Sequence, residues 1–161
     1  LLSQQLKQLG VKQDDPFFIH CGAVMSPDKH KDLSDFVLQQ KPALVVIDTF
    51  ILFAAGKDIN NYNDMYEVLS YFRDLAREAG CHITFVHHQN KSDRQGTNSI
   101  MGSSAIHGAV DNAIVFCNVN GIRRVTTSQR GGIPFDNDPL EFDAKTQTYG
   151  LGRKEEFSYG D

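Results

Sequence analysis

The stretch of sequence that decides the fold of this chain is Lys41-Pro42-Ala43-Leu44-Val45-Val46-Ile47-Asp48-Thr49-Phe50. Five consecutive apolar residues, three of them β-branched, run without alternation and end at a single carboxylate. An unbroken apolar run of this length predicts a strand covered on both faces, as in a parallel sheet. Open α/β sheets place their ligands at the carboxyl ends of their strands, so we expect Asp48 to lie beside a ligand.

Asp48 is the first candidate site residue. A carboxylate at the end of a buried strand can hold a hydrated Mg²⁺ that carries nucleotide phosphates, which is the form of a Walker B element. The alternative interpretation is a buried strand followed by an aspartate that caps a turn, because an apolar run followed by Asp is a common pattern.

The length and composition favour one globular domain. The 161 residues, 40% hydrophobic and 22% charged, suffice for one sizeable core. No apolar run approaches the ~18 residues of a membrane span, so no membrane partner is expected. Three cysteines without metal-like spacing favour reduced thiols and a cytoplasmic location. The net charge of −4 argues against general coating of nucleic acid, but it allows a local basic loop.

Periodicity and turn residues predict the remaining elements. Helices are expected near residues 2–9, 33–37, 64–79 and 104–110, and short strands at 17–19, 43–47, 83–86 and 113–117. Asn63 and Gly80 are the expected caps of the 64–79 helix. Segments 122–128 and 140–151 are predicted to form antiparallel strands. This order predicts an α/β fold with a mostly parallel sheet flanked by helices, in one domain over 1–151 with a flexible tail at 152–161.

A pair of histidines, His87-His88, follows the strand 83–86. Parallel strands point the same way, so these side chains should share an edge with Asp48. A histidine beside a Mg²⁺-binding carboxylate can contact a terminal phosphate and sense its loss. Successive side chains point to opposite faces, so at most one of the two is expected to face a nucleotide. The alternatives are a hydrogen-bonded strand end and, less favoured, a zinc site, for which the other histidines lack the spacing.

Two loops carry further candidates. The almost wholly polar run 89–99 contains Lys91 and Arg94, which either contact a phosphodiester backbone or belong to a solvated loop. The segment Ser128–Gly132 presents Arg130 between two β segments. An arginine there can stabilise charge on a phosphoryl group of a neighbouring subunit, although a surface arginine in a turn is the commoner situation.

Taken in order, these segments resemble the RecA-like P-loop ATPases, most closely the hexameric branch of RepA and DnaB-type helicases. The likeness covers most of residues 1–151, and its matching segments are Ala43–Thr49, the helix 64–79, Thr84–Lys91, Gly102–Ile106 with Ala109–Asp111, and Ser128–Gly132. The resemblance implies ATP and Mg²⁺ as cofactors of the intact parent, bound through Asp48 and Thr49, with Asp48 holding the metal through water.

The resemblance also implies roles outside the strand 43–47. His87 or His88 would be the catalytic sensor of the γ-phosphate, and Arg130 the arginine finger, although Ser128 stands where the family has a lysine. The loop 92–101 corresponds to the family's DNA-facing loop. The implied partners are like subunits in a ring and single-stranded DNA.

The larger departure from that family is the lack of a phosphate-binding loop. No Gly-x-x-x-x-Gly-Lys-Ser/Thr phosphate-binding loop occurs in the 161 residues. In the family that loop precedes the segment matching Leu1–Val11, so this chain looks like a fragment or truncated form. We expect it not to bind nucleotide tightly or hydrolyse ATP alone. We also expect exposed sheet edges that cause rearrangement, pairing with another chain or poor stability.

The leading interpretation is therefore the Walker B-containing part of a RecA-like, hexameric, DNA-dependent ATPase or helicase used in replication or recombination. The alternative is a non-catalytic module that keeps the RecA fold for binding or assembly. A third interpretation is a RecA-like regulatory ATPase, which would not need Lys91 and Arg94 to face a channel.

Overall fold

A computed structural model describes residues 2–12, 14–19, 27–54, 56–88 and 104–152. Within these ranges the helices are α1 (Leu2–Gln8), α2 (Pro27–Gln40), α3 (Phe50–Phe53), α4 (Tyr62–Ala79) and α5 (Ser104–Ala109). The strands are β1 (Leu44–Asp48), β2 (His82–Val86), β3 (Asn112–Val119), β4 (Ile122–Gln129), β5 (Asp138–Asp143) and β6 (Thr148–Leu151). In the part of the chain so described, no helix has both the length and the apolar character needed to cross a membrane.

The strands form two sheets. β1 and β2 pair in parallel, from Leu44 opposite His82 to Asp48 opposite Val86. The other four strands form an antiparallel sheet in the order β3-β4-β5-β6. The α/β class and the antiparallel strands are thus confirmed. The expected extension of the parallel sheet by the strand at 113–117 is wrong within the described ranges, where β3 pairs with β4 instead.

A two-residue turn explains why β4 is the neighbour of β3. Asn120 and Gly121 have φ values of 52° and 85°, and positive φ at both central residues is typical of the tight turn of a β-hairpin. The Asn118 side-chain oxygen accepts the Gly121 N–H at 2.9 Å. This turn aligns the whole of β3 with β4, from Asn112 opposite Gln129 onward. A local sequence signal therefore determines the pairing.

Helix α4 is the longest element and supplies much of the core. The helical periodicity of 64–79 predicts one apolar stripe, of which Ala76 and Ala79 are half-buried and the other five residues are buried: Met65, Val68, Leu69, Phe72 and Leu75. Gly80 ends the helix in the left-handed conformation, at φ 67°, which confirms that cap. The predicted cap at Asn63 is wrong. Asn61 is the extended residue before the helix, and its side chain accepts the N–H groups of Asn63 and Asp64 at 2.9 and 3.2 Å.

The core lies on one face of the parallel pair. The α4 stripe packs with Val37, Ile47, Phe50, Ala54 and Ile106. On the opposite face, the side chains of Leu44 and Val46 are 55% and 59% exposed. The prediction that the first strand is covered on both faces is therefore wrong for the described residues, because their helices pack against one face only.

The strand predicted at 17–19 is absent from the structure. Residues 16–19 have no regular secondary structure, and Phe17, Phe18 and Ile19 are about half exposed. Phe18 makes an edge-to-face contact with Phe36 of α2, at 5.3 Å between ring centroids. An apolar triplet forms a strand only where a neighbouring strand accepts its hydrogen bonds, and none of the described strands does. The predicted tail lies outside the described residues from residue 153 onward.

Candidate functional site

The carboxyl ends of β1 and β2 lie level with each other. Asp48 ends β1 and stands opposite Val86, the last residue of β2, so His87 and His88 follow directly beside the Asp48 edge. The parallel pairing therefore brings together the acid and the histidine pair that the sequence singled out. No group of three metal-ligating side chains is found among the described residues.

The two histidines lie in different environments. Asp48, Val86 and His88 are exposed. His87 is half-buried, and its ring makes an edge-to-face contact with Phe50, at 5.4 Å between centroids. Side chains alternate along a strand, so His88 continues the exposed face of Val86 and Asp48, whereas His87 continues the face that carries the core. This arrangement leaves His88 and Asp48 accessible together at one edge.

Thr49 connects Asp48 to helix α3. It has an extended backbone, with φ −116° and ψ 156°, and its side chain makes no capping hydrogen bond to the helix. Its carbonyl oxygen accepts the Leu52 N–H at 3.1 Å. Its hydroxyl and the Asp48 carboxylate are oxygen groups of the kind that Mg²⁺ prefers. Mg²⁺ is commonly held by one or two carboxylates together with water and phosphate oxygens, so Asp48 fits a contact of that kind.

Arg130 directly follows β4 in the chain. Its Nε is 3.5 Å from Asp111 Oδ1, and its Nη2 donates to the Gly108 carbonyl at 3.4 Å. Both members of the ion pair are mostly exposed, at 69% and 78% of their side chains. Arg130 lines a cleft of about 120 Å³ with residues of α5, β3 and β4. These contacts tie Arg130 to α5 and the start of β3, rather than to the Asp48 edge.

Lys91 and Arg94, the predicted contacts to nucleic acid, lie outside the described residues. Among the described residues, Lys57 is the cation that holds the loop between α3 and α4. Lys57 Nζ is 2.8 Å from Glu67 Oε2 and 3.9 Å from Asp64 Oδ1. The hydrogen bond to Glu67 is the main reason why the pKa of Lys57 is raised above its ordinary value.

The predictions from the sequence include neither a role for His30 nor the helix α3. In the structure the His30 ring lies among Phe53, Tyr71 and Phe72, with centroid distances of 6.1, 5.7 and 5.7 Å. These partners are 23 to 42 residues away along the chain, so no local pattern reveals the cluster. For α3, the sequence signal that could have identified its start is Thr49, a residue type favoured before helices, followed by four apolar residues.

A protein-family model described as an AAA domain matches residues 3–94, which is more than half of the chain. The match includes Asp48, Thr49 and both histidines and ends before β3, so Arg130 lies outside it. No curated protein matches the chain significantly.

Proposed function

Because the chain belongs to the AAA domain family, we propose that it is the Asp48-bearing part of a RecA-like ATPase that works as a ring on single-stranded DNA. Family membership by itself indicates an ATPase-type function. The RecA-like core, the ring and the DNA partner are inferred from the order of the sequence segments and from their resemblance to the RepA and DnaB-type helicases.

One observation carries the proposal. Inside the matched segment, Asp48 is the last residue of β1 and lies opposite Val86, the last residue of β2. His88 comes two residues after Val86 and lies on the same exposed face as Asp48. A carboxylate and an imidazole at one strand edge suit a Mg²⁺–ATP complex. In this proposal Asp48 would hold Mg²⁺ through water, Thr49 would add a hydroxyl oxygen, and His88 would contact the terminal phosphate. His87 packs on Phe50 and orders this edge from the core side.

Arg130 is proposed to act on a neighbouring subunit. Its ion pair with Asp111 is exposed, and exposed pairs contribute only ~0–1 kcal/mol, so releasing the guanidinium costs little. An arginine presented in this way can stabilise charge on a phosphoryl group bound by the next subunit. Lys91 and Arg94 are proposed to contact the phosphates of single-stranded DNA, because they lie in an almost wholly polar loop.

The test is ATP hydrolysis by the full-length gene product, with Mg²⁺ and single-stranded DNA. We expect Asp48→Asn to lower the rate about 10²-fold, the size of effect seen when an electrostatic group is lost from an active site. The matched control is Asp35→Asn, which removes an exposed carboxylate from α2 and should leave the rate unchanged. Equal rates for Asp48→Asn and the unmodified protein would refute the proposal.

A second candidate function is a non-catalytic assembly module. The exposed apolar side chains of Leu44, Val46 and Val86 favour it, because uncovered apolar surface often marks an interface. Calorimetry with Mg²⁺–ATP and sedimentation of the full-length protein distinguish the two. Absence of nucleotide binding together with stable self-association would favour the assembly module, whereas Asp48-dependent binding favours the ATPase.

A further inference from the structure

His30 of α2 binds the end of the short helix that follows the Asp48 edge. Its Nε2 is 2.9 Å from the carbonyl oxygen of Phe53, the last residue of α3. A carbonyl oxygen only accepts hydrogen bonds, so Nε2 carries the proton. The last carbonyls of a helix lack partners within the helix. His30, which lies in α2, therefore donates a hydrogen bond to a carbonyl oxygen that has no partner within α3.

Stacking adds to this hydrogen bond. The rings of His30 and Phe53 are nearly parallel, at 6° and 6.1 Å between centroids. The Tyr71 ring lies 5.7 Å away at 22°, and the Phe72 ring meets His30 edge-on. The His30 ring is thus held between α3 and α4 by aromatic contacts as well as by its bond to the carbonyl.

The backbone of His30 is fixed in turn. Its carbonyl oxygen accepts hydrogen bonds from the Tyr71 hydroxyl and the Ser34 hydroxyl, both at 2.9 Å. The two hydroxyl groups also contact each other. Because Tyr71 belongs to α4, the position of His30 is tied to the longest helix of the structure rather than to α2 alone.

The opposite end of α3 touches the candidate site. Phe50, its first residue, is only 2% exposed and makes edge-to-face contacts with Phe85 and His87, at 5.1 and 5.4 Å. Asp48 and Thr49 directly precede it. A four-residue helix is only ~6 Å long. A displacement of Phe53 therefore also moves Phe50, because so short a helix cannot bend between its two ends.

We propose that His30 is a positioning residue for the Asp48 edge. It holds the end of α3 against α4, and α3 in turn sets the positions of the Asp48-Thr49 segment and of the His87 ring. The consequence for ATP hydrolysis rests on the function proposed above. The structural coupling between His30, α3 and His87 does not depend on that function, and it can be measured without nucleotide.

The test uses two variants that separate the donor from the ring. His30→Phe keeps an aromatic ring but removes the N–H, whereas His30→Gln keeps an N–H donor near the position of Nε2. The matched control is His82→Phe, which replaces an exposed histidine of β2. Hydrogen exchange and ring resonances are measured by NMR on the whole 161-residue chain.

In His30→Phe we expect the Ala54 N–H, bonded to Phe50 O at 3.2 Å, to exchange about tenfold faster, because local opening of α3 loses one opposing hydrogen bond. The His87 ring resonances should shift, while the Met65 N–H of α4 keeps its exchange rate. His30→Gln should restore most of the Ala54 protection, and His82→Phe should change none of these quantities.

Two results would overturn the proposal. One is wild-type exchange at Ala54 and unshifted His87 resonances in His30→Phe. The other is equal acceleration at Ala54 and Met65, which would indicate general destabilisation. In the full-length protein, His30→Phe should lower kcat with KM nearly unchanged. If that protein hydrolyses no ATP at all, the proposed function fails, while the exchange experiment still decides the role of His30.

Discussion

The two sheets of this protein are stabilised in different ways. The parallel pair β1–β2 lies against a core in which Met65, Phe72 and Phe50 are at most 2% exposed. In the antiparallel sheet of the described chain, the buried apolar residues are Val115 and Val125. The first region depends on packing between residues far apart in sequence, and the second on hydrogen-bonded hairpins between neighbours. The AAA domain match covers the first region and ends before the second.

Because the two sheets are stabilised differently, mutations in them should cost different amounts of unfolding free energy. Removing a buried side chain loses transfer free energy and leaves a cavity, so the cost is greatest in the helix-covered region. In a sheet that is exposed on much of its surface, turns and cross-strand pairs carry more of the stability, and each contributes less. The following experiments test this contrast, from the largest expected effect to the smallest.

The largest effect is expected for Phe72→Ala. The Phe72 ring is 1% exposed and contacts Phe85 at 5.1 Å and Phe53 at 6.0 Å, so its removal should cost about 3–5 kcal/mol of unfolding free energy. The comparison is Phe142→Ala in β5, where the ring is 47% exposed and packs on Tyr149; the loss there should be near ~1 kcal/mol. Urea unfolding of both variants measures the difference. Equal losses would contradict the contrast between the two regions.

Two glycines should respond to alanine in opposite directions. Gly121 has φ 85° in the β3–β4 turn, and alanine there should cost about 1–2 kcal/mol because its Cβ disfavours the left-handed conformation. Gly108 lies inside α5, and a Cβ added there meets no atom within 4 Å. Gly108→Ala should therefore stabilise the protein by ~0.5–1 kcal/mol. Thermal unfolding should show a lower midpoint temperature for Gly121→Ala and a higher one for Gly108→Ala than for the unmodified protein. A neutral Gly121→Ala would show that the turn does not determine the pairing of β3.

A smaller effect distinguishes the two candidate caps of α4. Asn61→Ala removes the side chain that accepts two backbone N–H groups and should cost ~1 kcal/mol. Asn63→Ala, at the position that the sequence favoured, should cost much less, because Asn63 already lies within the helix. The unfolding free energies of the two variants, measured side by side, decide between them. A larger loss at Asn63 would restore the prediction made from the sequence.

The smallest effect concerns the Cys81 thiol, just before β2. Burial raises its pKa because the thiolate is disfavoured away from water. The unfolded thiol ionises near pH ~8.5, so at higher pH the folded state binds more protons than the unfolded state. The stability contribution is therefore complete below that pH and declines as the pH rises toward the folded pKa.

The urea concentration at the midpoint of unfolding, measured at neutral and at alkaline pH, tests whether stability declines as the pH rises. Cys81→Ala should lose part of the alkaline decline, because it removes the thiol whose pKa is raised by burial. Parallel declines in the unmodified protein and in Cys81→Ala would assign the effect to other groups.

Several elements of the fold and of the site could be predicted because their signals are local. The apolar run of β1, the stripe of α4 and Gly80 each report a backbone preference within a few residues. The same holds for the position of Asp48 at a strand end, which needs only the strand and its last residue. The Asn120-Gly121 turn is also a local signal, although its consequence for the pairing of β3 was not drawn from the sequence.

The sequence by itself thus determined the α/β class, the two parallel strands and the position of Asp48 at their edge. Only the tertiary structure decided that one face of β1 is exposed, that His88 rather than His87 shares the face of Asp48, and that His30 binds the end of α3. The physical reason is distance along the chain. Periodicity reports a residue's own backbone conformation, whereas burial and side-chain partners depend on segments that only folding brings together.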